Sequence, residues 1–304
     1  MKSLHSIALS LLVILALIVI GCSEEAPSSL LPEPSEASIN LLAVNVNTAN
    51  TEVTNINLKN GEQSSFITDC MVLSSRVFDV TTKSIGYTSC DQNFVLVNQA
   101  TGEQSASYPL PGPVNMTVVN NANHTLIGTY YDQVAEVNHI IRLDLDNGNL
   151  LSDLTVEDLG PMYTCTQFFD QETQSFSLIS SDNNIVTIDA SNGEIVSQVG
   201  INTGTNLIHY RESTRTLISI TYDQPTDTNF VEKTDVTTGE LLQKTALQSP
   251  SNFRLCAVGY DSQNNRLVTI NSDNLVRYID VDSGEVIDDL RLDTQMTPLT
   301  FYTQ

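Results

Sequence analysis

An all-β ring of six four-stranded blades, closed by its C-terminal strand, is the fold this sequence predicts, and three observations predict it. A hairpin signature of hydrophobe, Asp or Asn, three residues, Gly and usually Glu occurs six times, with glycines at Gly61, Gly102, Gly148, Gly193, Gly239 and Gly284. The steps between them are 41, 46, 45, 46 and 45 residues, each about the length of one four-stranded unit. The strand tally supplies the third observation. The first unit holds three strands rather than four, and one spare strand, "PLTFYTQ", stands at the C-terminus.

The chain begins with a segment that does not belong to the ring. Lys2 gives a weakly positive start, and Ile7 to Ile20 is apolar except for Ser10. That run is short for a bilayer span and suits the core of an export signal. It ends in Val19, Ile20, Gly21 and Cys22, which resembles the lipobox of bacterial lipoproteins. The resemblance implies cleavage after Gly21, lipid on the Cys22 thiol and several acyl chains at the new N-terminus, enough for stable anchoring. The next stretch, "SEEAPSSLLPEPSEAS", carries Pro27, Pro32 and Pro34 among Ser, Ala and Glu, a composition that extends and buries no core. It reads as a tether of up to roughly 50 Å. The chain therefore divides into a signal peptide (1–21), a lipidated cysteine with its linker (22–38) and the ring (39–304). Ser23 stands where inner-membrane lipoproteins of enterobacteria carry Asp, and Glu24 and Glu25 resemble the surface-export signals of some Bacteroidetes lipoproteins. Both point to the outer membrane and leave the leaflet open.

Each later unit reads as strands A to D. In the last one "LCAVGYD", "RLVTINS", "LVRYIDV" and "EVIDDLRL" follow one another with polar turns between. The fourth repeats the order with "TQFFD", "SFSLISS", "NIVTIDA" and "EIVSQVGI". Alternation is imperfect, as expected of a blade packed on both faces. The glycine of each signature supplies a positive φ for a tight C to D hairpin. The Asp or Asn four residues earlier (Asn57, Asn98, Asp144, Asp189, Asp235, Asp280) is placed to bind its own turn backbone. Tyr302 aligns with Phe78, Phe169, Tyr210 and Tyr260 at the end of strand A, so the tail supplies the strand missing from blade 1 and leaves no open edge.

The repeated hydrophobe-Asp-x-x-Thr-Gly-Glu hairpins resemble the bacterial β-propellers grouped as YVTN-type or quinoprotein-like. The resemblance spans nearly all of 39–304 and implies fold rather than chemistry. The chain departs from the quinone-cofactor enzymes in having six units and no Trp, and from WD40 propellers in lacking their Gly-His and Trp-Asp pairs.

Thirteen Lys and Arg stand against 36 Asp and Glu. Such a surface repels nucleic acid and anionic headgroups, so neither is an expected partner. Cys70 and Cys90 fall in neighbouring loops of one end of the ring, and we expect a disulfide there. Two free thiols are the alternative. Cys165 and Cys256 occupy the same repeat position on non-adjacent units, which predicts small buried hydrophobes rather than a pair.

Candidate site residues cluster on the end of the ring that carries the B to C and D to A loops. Asp91, Asp132, Asp182, Asp223 and Asp273 open the B to C loops of blades 2 to 6. Five carboxylates on one rim suit a cation or a basic partner, and the plainer reading is that each caps its own turn. Blades 3 and 5 carry longer loops, "TYYDQVAEVNH" and "TYDQPTDTN", whose Tyr131 and Tyr222 suit recognition. Tyr163 in the D to A segment between them is expected on the same surface. Catalysis has little support, because His124, His139 and His209 fall in separate turns and strands. Two function classes follow. The first is a lipid-anchored envelope module that binds a protein or glycan and needs no cofactor. The second is a hydrolase resembling six-bladed lactonases, with a divalent cation such as calcium in the channel near Asn115, Asn206 and Asn252.

Overall fold

The computed structural model describes residues 39–46, 51–68, 70–202, 204–205, 207–248, 252–292 and 297–303. The leader, Cys22, the linker and Asn206 lie outside the described residues. Residues 38–304 form one compact unit.

The polypeptide is a six-bladed β-propeller. Blade 1 comprises β1 (Ile39–Val46), β2 (Thr51–Asn57), β3 (Gln63–Thr68) and, from the C-terminus, β24 (Thr297–Thr303). Blade 2 is β4 (Met71–Asp79), β5 (Ser84–Ser89), β6 (Asn93–Asn98) and β7 (Gln104–Pro109). Blade 3 is β8 (Asn115–Asn120), β9 (Thr125–Asp132), β10 (Val137–Asp144) and β11 (Leu150–Val156). Blade 4 is β12 (Phe168–Asp170), β13 (Ser175–Ile179), β14 (Asn184–Asp189) and β15 (Ile195–Gly200). Blade 5 is β16 (Ile208–Arg211), β17 (Thr216–Asp223), β18 (Thr228–Asp235) and β19 (Leu241–Ala246). Blade 6 is β20 (Phe253–Asp261), β21 (Arg266–Asn271), β22 (Leu275–Asp280) and β23 (Val286–Arg291). Every strand pairs antiparallel with its sequence neighbour inside the blade, except that β24 pairs with β1 to close the ring. Tyr302 of that strand stacks on Phe78 of blade 2 with ring centroids 3.9 Å apart.

Six hydrophobic clusters fill the six spaces between neighbouring blades. One joins Leu42, Phe66 and Tyr302 of blade 1 to Met71, Ile85 and Val95 of blade 2, and another joins Leu41 and Phe301 to Val268 and Ile270 of blade 6. The middle strands therefore bury both faces, which is why β5 and β13 are buried along their whole length. The D strands β15 and β19 alternate half-buried and exposed side chains, as edge strands with one solvated face do.

The hairpin signature does what its chemistry predicts. Each Asx carboxyl or amide oxygen accepts turn amides, for example Asn57 from Lys59 at 2.9 Å and Asp235 from Thr237 and Thr238 at 2.8 Å. The glycine has a second duty that the hairpin alone does not require. At Gly239, with φ +73°, an added Cβ would lie 2.2 Å from the Gly200 carbonyl oxygen in the D strand of blade 4. The turn of one blade thus nests against the last strand of the blade before it.

A second inter-blade device lies in the A to B turns. The residue that precedes strand B sits in the left-handed region at Lys83, His124, Gln174, Arg215 and Asn265. Three of these reach back to the end of strand A in the preceding blade. His124 Nε2 meets Asp79 Oδ2 at 2.8 Å, Gln174 Oε1 accepts from Asn120 Nδ2 at 3.0 Å, and Arg215 pairs with Asp170 at 3.2 Å.

Cys70 and Cys90 form the expected disulfide, with Cα atoms 5.4 Å apart. The reading of Cys165 and Cys256 as separate buried thiols is overturned, because they too are bonded, with Cα atoms 5.3 Å apart. The reason is radial position. Both cysteines sit at or just before the innermost strands, and near the axis of a ring non-adjacent blades converge. Arg76 of blade 2 reaches Cys165 Sγ at 4.0 Å, so blades 2, 4 and 6 meet at this point.

Candidate functional site

The ring has a longer period than the single blade. Gly102, Gly193 and Gly284 are 91 residues apart, as are Asp91, Asp182 and Asp273, and as are Cys165 and Cys256. Two blades form the unit. One blade has a short B to C turn and the other has a long hairpin, which gives blades 3 and 5 their equivalent loops with Tyr131 and Tyr222 spaced by the same 91 residues.

In the short turns the recurring cap is not the aspartate. Ser89 and Ser180 hydroxyls accept from the amides of Asn93 and Asn184 at 3.1 Å, and Asn271 Oδ1 accepts from Leu275 at 3.0 Å. Asp91, Asp182 and Asp273 are exposed two residues later. In the long hairpins the plainer reading holds. Asp132 Oδ1 accepts from the amides of Val134 and Ala135 at 2.7 and 3.1 Å, and these bonds hold its carboxyl below the usual range. Asp223 accepts from the Thr226 hydroxyl at 2.6 Å.

Each long hairpin walls a cleft toward the next blade. The first encloses about 550 Å³ and the second about 470 Å³. Met116, Thr129, Tyr130, Tyr131 and Asn138 line the first, and their counterparts 91 residues on, Leu207, Ile220, Thr221, Tyr222 and Asn229, line the second. The far walls correspond as well, with Pro161, Met162 and Thr164 replaced by Asn252, Phe253 and Leu255. Both clefts mix amides and hydroxyls with an apolar wall and a tyrosine at the mouth. Tyr131 is 46% exposed, Tyr222 56% and Leu255 64%, and Val134 at the first hairpin tip is 95% exposed.

The tyrosines differ in how they are held. Tyr222 donates to Asp227 Oδ1 at 2.7 Å across its own hairpin, which raises its pKa. Glu136 is the counterpart of Asp227 and lines the first cleft itself. Behind Tyr131, the Tyr130 ring stacks on His139 at 4.5 Å and donates to Asp153, which also meets His139 Nδ1 at 2.8 Å. Burial, then that hydrogen bond, push the Tyr130 hydroxyl up to about 12. This cluster fixes the floor of the first cleft. The second has Lys244 over the Phe230 ring at 4.3 Å in the corresponding place.

Tyr163 does not join this surface. It packs with Phe168, Ile179 and Ile208 between blades 4 and 5, while its neighbours Met162 and Thr164 face the first cleft. Sequence reasoning missed Met116, Asn138, Phe253 and Leu255, and the 91-residue spacing was the signal that pairs them. Asn115 lines the first cleft and Asn252 the second. The inner strands carry Arg76, His209 and Arg211. Burial lowers Arg76 to about 10, which leaves it cationic at neutral pH. Burial, then Arg211, lower His209 to about 4, so it is neutral there, with its ring stacked on Tyr260 at 4.8 Å.

The connecting segments at the cleft end are one-signed. Among the described residues they hold Asp91, Glu136, Glu157, Asp158, Asp182, Asp227 and Asp273, with Asp132 and Asp223 at strand ends, and no Lys, Arg or His. Arg254 and Arg291 flank this end on blade 6, and Arg254 is tied to the Asn271 and Ser272 carbonyls and to Asn274.

No protein-family model matches the chain, and no curated protein matches it.

Proposed function

We propose that this protein is a lipid-anchored module of the bacterial outer membrane that binds an envelope protein or glycan through the long-hairpin end of its propeller. The observation that carries the reading is the pair of equivalent clefts, each with an exposed tyrosine on a hairpin longer than the turn requires. The lipobox-like Val19 to Cys22 and the Pro-rich segment after it support the anchor and tether. A hydrolase with a channel cation draws no support from the inner strands, where the cationic Arg76 lies against the Cys165 sulfur.

A photo-crosslinking residue in place of Val134, at the tip of the first hairpin, tests the binding end in living cells. Val80, half exposed in an A to B turn at the other end of the ring, is the control. Adducts at Val134 and none at Val80 support the reading, and adducts only at Val80 refute it. The anchor has its own test. Cys22→Ala abolishes detergent-phase partitioning of the full chain if the lipid is the attachment, and partitioning that persists refutes the assignment.

A further inference from the structure

We infer that the partner is a cationic polypeptide segment, and that each cleft seats one apolar side chain of it. This rests on the binding-module reading above and narrows it. Three observations lead there. Each cleft opposes a tyrosine to an apolar wall, Met162 with Leu159 in the first and Phe253 with Leu255 in the second, a shape that takes an aliphatic or aromatic side chain. Asn138 and Asn229 hold the same place in the two walls; Asn138 Nδ2 donates to the Leu159 carbonyl at 2.6 Å, which leaves its Oδ1 as the amide atom beside the first cleft's apolar surface that can accept from a peptide N–H. Around both, nine acids stand in the described connecting segments and long-hairpin strand ends, against Arg254 and Arg291 flanking on blade 6. An acidic surround raises the local concentration of Lys and Arg and repels acidic polypeptides and charged polysaccharides. Neutral glycans gain nothing from it.

The two-blade period adds a geometric consequence. Blades 3 and 5 are two steps apart in a ring of six, so the clefts are related by a third of a turn about the axis. One chain that fills both gains avidity through effective concentration. A partner with two apolar positions separated by a basic stretch therefore outcompetes one with a single position.

Selection from a displayed library of random dodecapeptides and tandem dodecapeptides, against the full-length protein, tests this directly. Tyr131→Ala/Tyr222→Ala serves as the counter-selection bait after its melting temperature is shown to match the parent. The expected winners combine Lys or Arg with Leu, Phe or Met, weaken as salt rises from 0.1 to 0.4 M in the assay buffer by roughly ten-fold or more, and lose affinity about ten-fold or more for the double tyrosine variant. Tandem winners keep the affinity of a single-site peptide when one tyrosine is removed. The inference is overturned by winners without net positive charge, by winners that bind the double variant equally, or by no enrichment. A panel of neutral oligosaccharides run in parallel separates the two readings. Saccharide binding lost in the double variant overturns the polypeptide assignment while leaving the cleft-bearing end as the binding surface.

Discussion

At the scale of single residues, the structure separates positions that share a motif but not an environment. Gly61 and Gly239 occupy the same hairpin site with the same φ of +73°. Among the described residues nothing lies within 4 Å of a Cβ built at Gly61, whereas at Gly239 the Gly200 carbonyl oxygen is 2.2 Å away. Gly61→Ala should cost about 1–2 kcal/mol, the strain of a left-handed Ala. Gly239→Ala should cost roughly 1–3 kcal/mol more, because backbone of blade 4 must move. Denaturant unfolding of both variants checks the ordering, and equal losses would show that the inter-blade nesting contributes nothing. His124 gives a pH-dependent counterpart. Burial alone would lower its pKa, but hydrogen bonds to Asp79 and Asp146, at 2.8 and 2.5 Å, more than offset that and raise it. A raised histidine contributes fully below its unfolded value of about 6.5 and loses the contribution as pH rises through the folded value. For Asp79 burial acts upward, but Thr82, His124 and the Thr81 amide hold the carboxyl lower, so its contribution fades only as acid titrates it. The latch between blades 2 and 3 is therefore strongest in mildly acidic solution. His124→Ala should lower stability by about 1 kcal/mol at pH 6 and by less at pH 9. A loss that is the same at both pH values would remove the latch.

At the scale of strands and loops, the two disulfides make the sharpest contrast. The Cys70–Cys90 bridge spans 20 residues within neighbouring loops, and the Cys165–Cys256 bridge spans 91 across the ring. Chain entropy assigns them about 3 and about 4.5 kcal/mol. Cys165→Ala/Cys256→Ala should therefore lower the midpoint of denaturant unfolding more than Cys70→Ala/Cys90→Ala, and the reverse order would place the main constraint in blade 2. Only the shorter bridge was legible in the sequence, because its cysteines fall in adjacent loops of one end. The longer one was hidden, since linear spacing reports which blade a residue belongs to and says nothing of its distance from the axis. The hairpins were legible for a local reason: Asx and Gly at fixed offsets close a turn with bonds inside one short segment. The long loops of blades 3 and 5 were legible as insertions, with Tyr131 and Tyr222 at their openings. The clefts behind them were not, because Phe253 and Leu255 come from strand A of the following blade and Tyr163 turns inward between blades 4 and 5.

At the scale of the molecule, stability is set by closure. Each blade buries both faces only because a neighbour lies on each side, so an incomplete blade exposes two clusters at once. The strand β24 illustrates this. Its Phe301 belongs to the cluster shared with blade 6, and its Tyr302 to the cluster shared with blade 2. Removing Pro298 to Gln304 uncovers both and leaves the inner edge of β1 without its partner, from Ile39 opposite Thr303 to Ala43 opposite Pro298. Deleting Ser23 to Ser38 touches none of these pairings. The first truncation should lower the melting temperature by far more than the second, or prevent folding, and similar values would contradict closure as the organising constraint. A circular permutant keeps the test readable if the truncated chain does not fold. Thr303 and Ile39 are paired neighbours in the same geometry as the A to B turns of the other blades, which use four residues, as between Asp79 and Ser84. Joining Thr303 to Ile39 through a four-residue turn, and opening the chain at the A to B turn of blade 4 between Asp170 and Ser175, moves the shared blade without changing any strand pairing. That permutant should fold with strand content and unfolding cooperativity like the parent. Deleting β12, the strand that now closes blade 4 from the C-terminus, should become a damaging terminal truncation in its turn. If the permutant tolerated the loss of β12, the importance of β24 in the parent would lie in its own sequence and not in closing the ring.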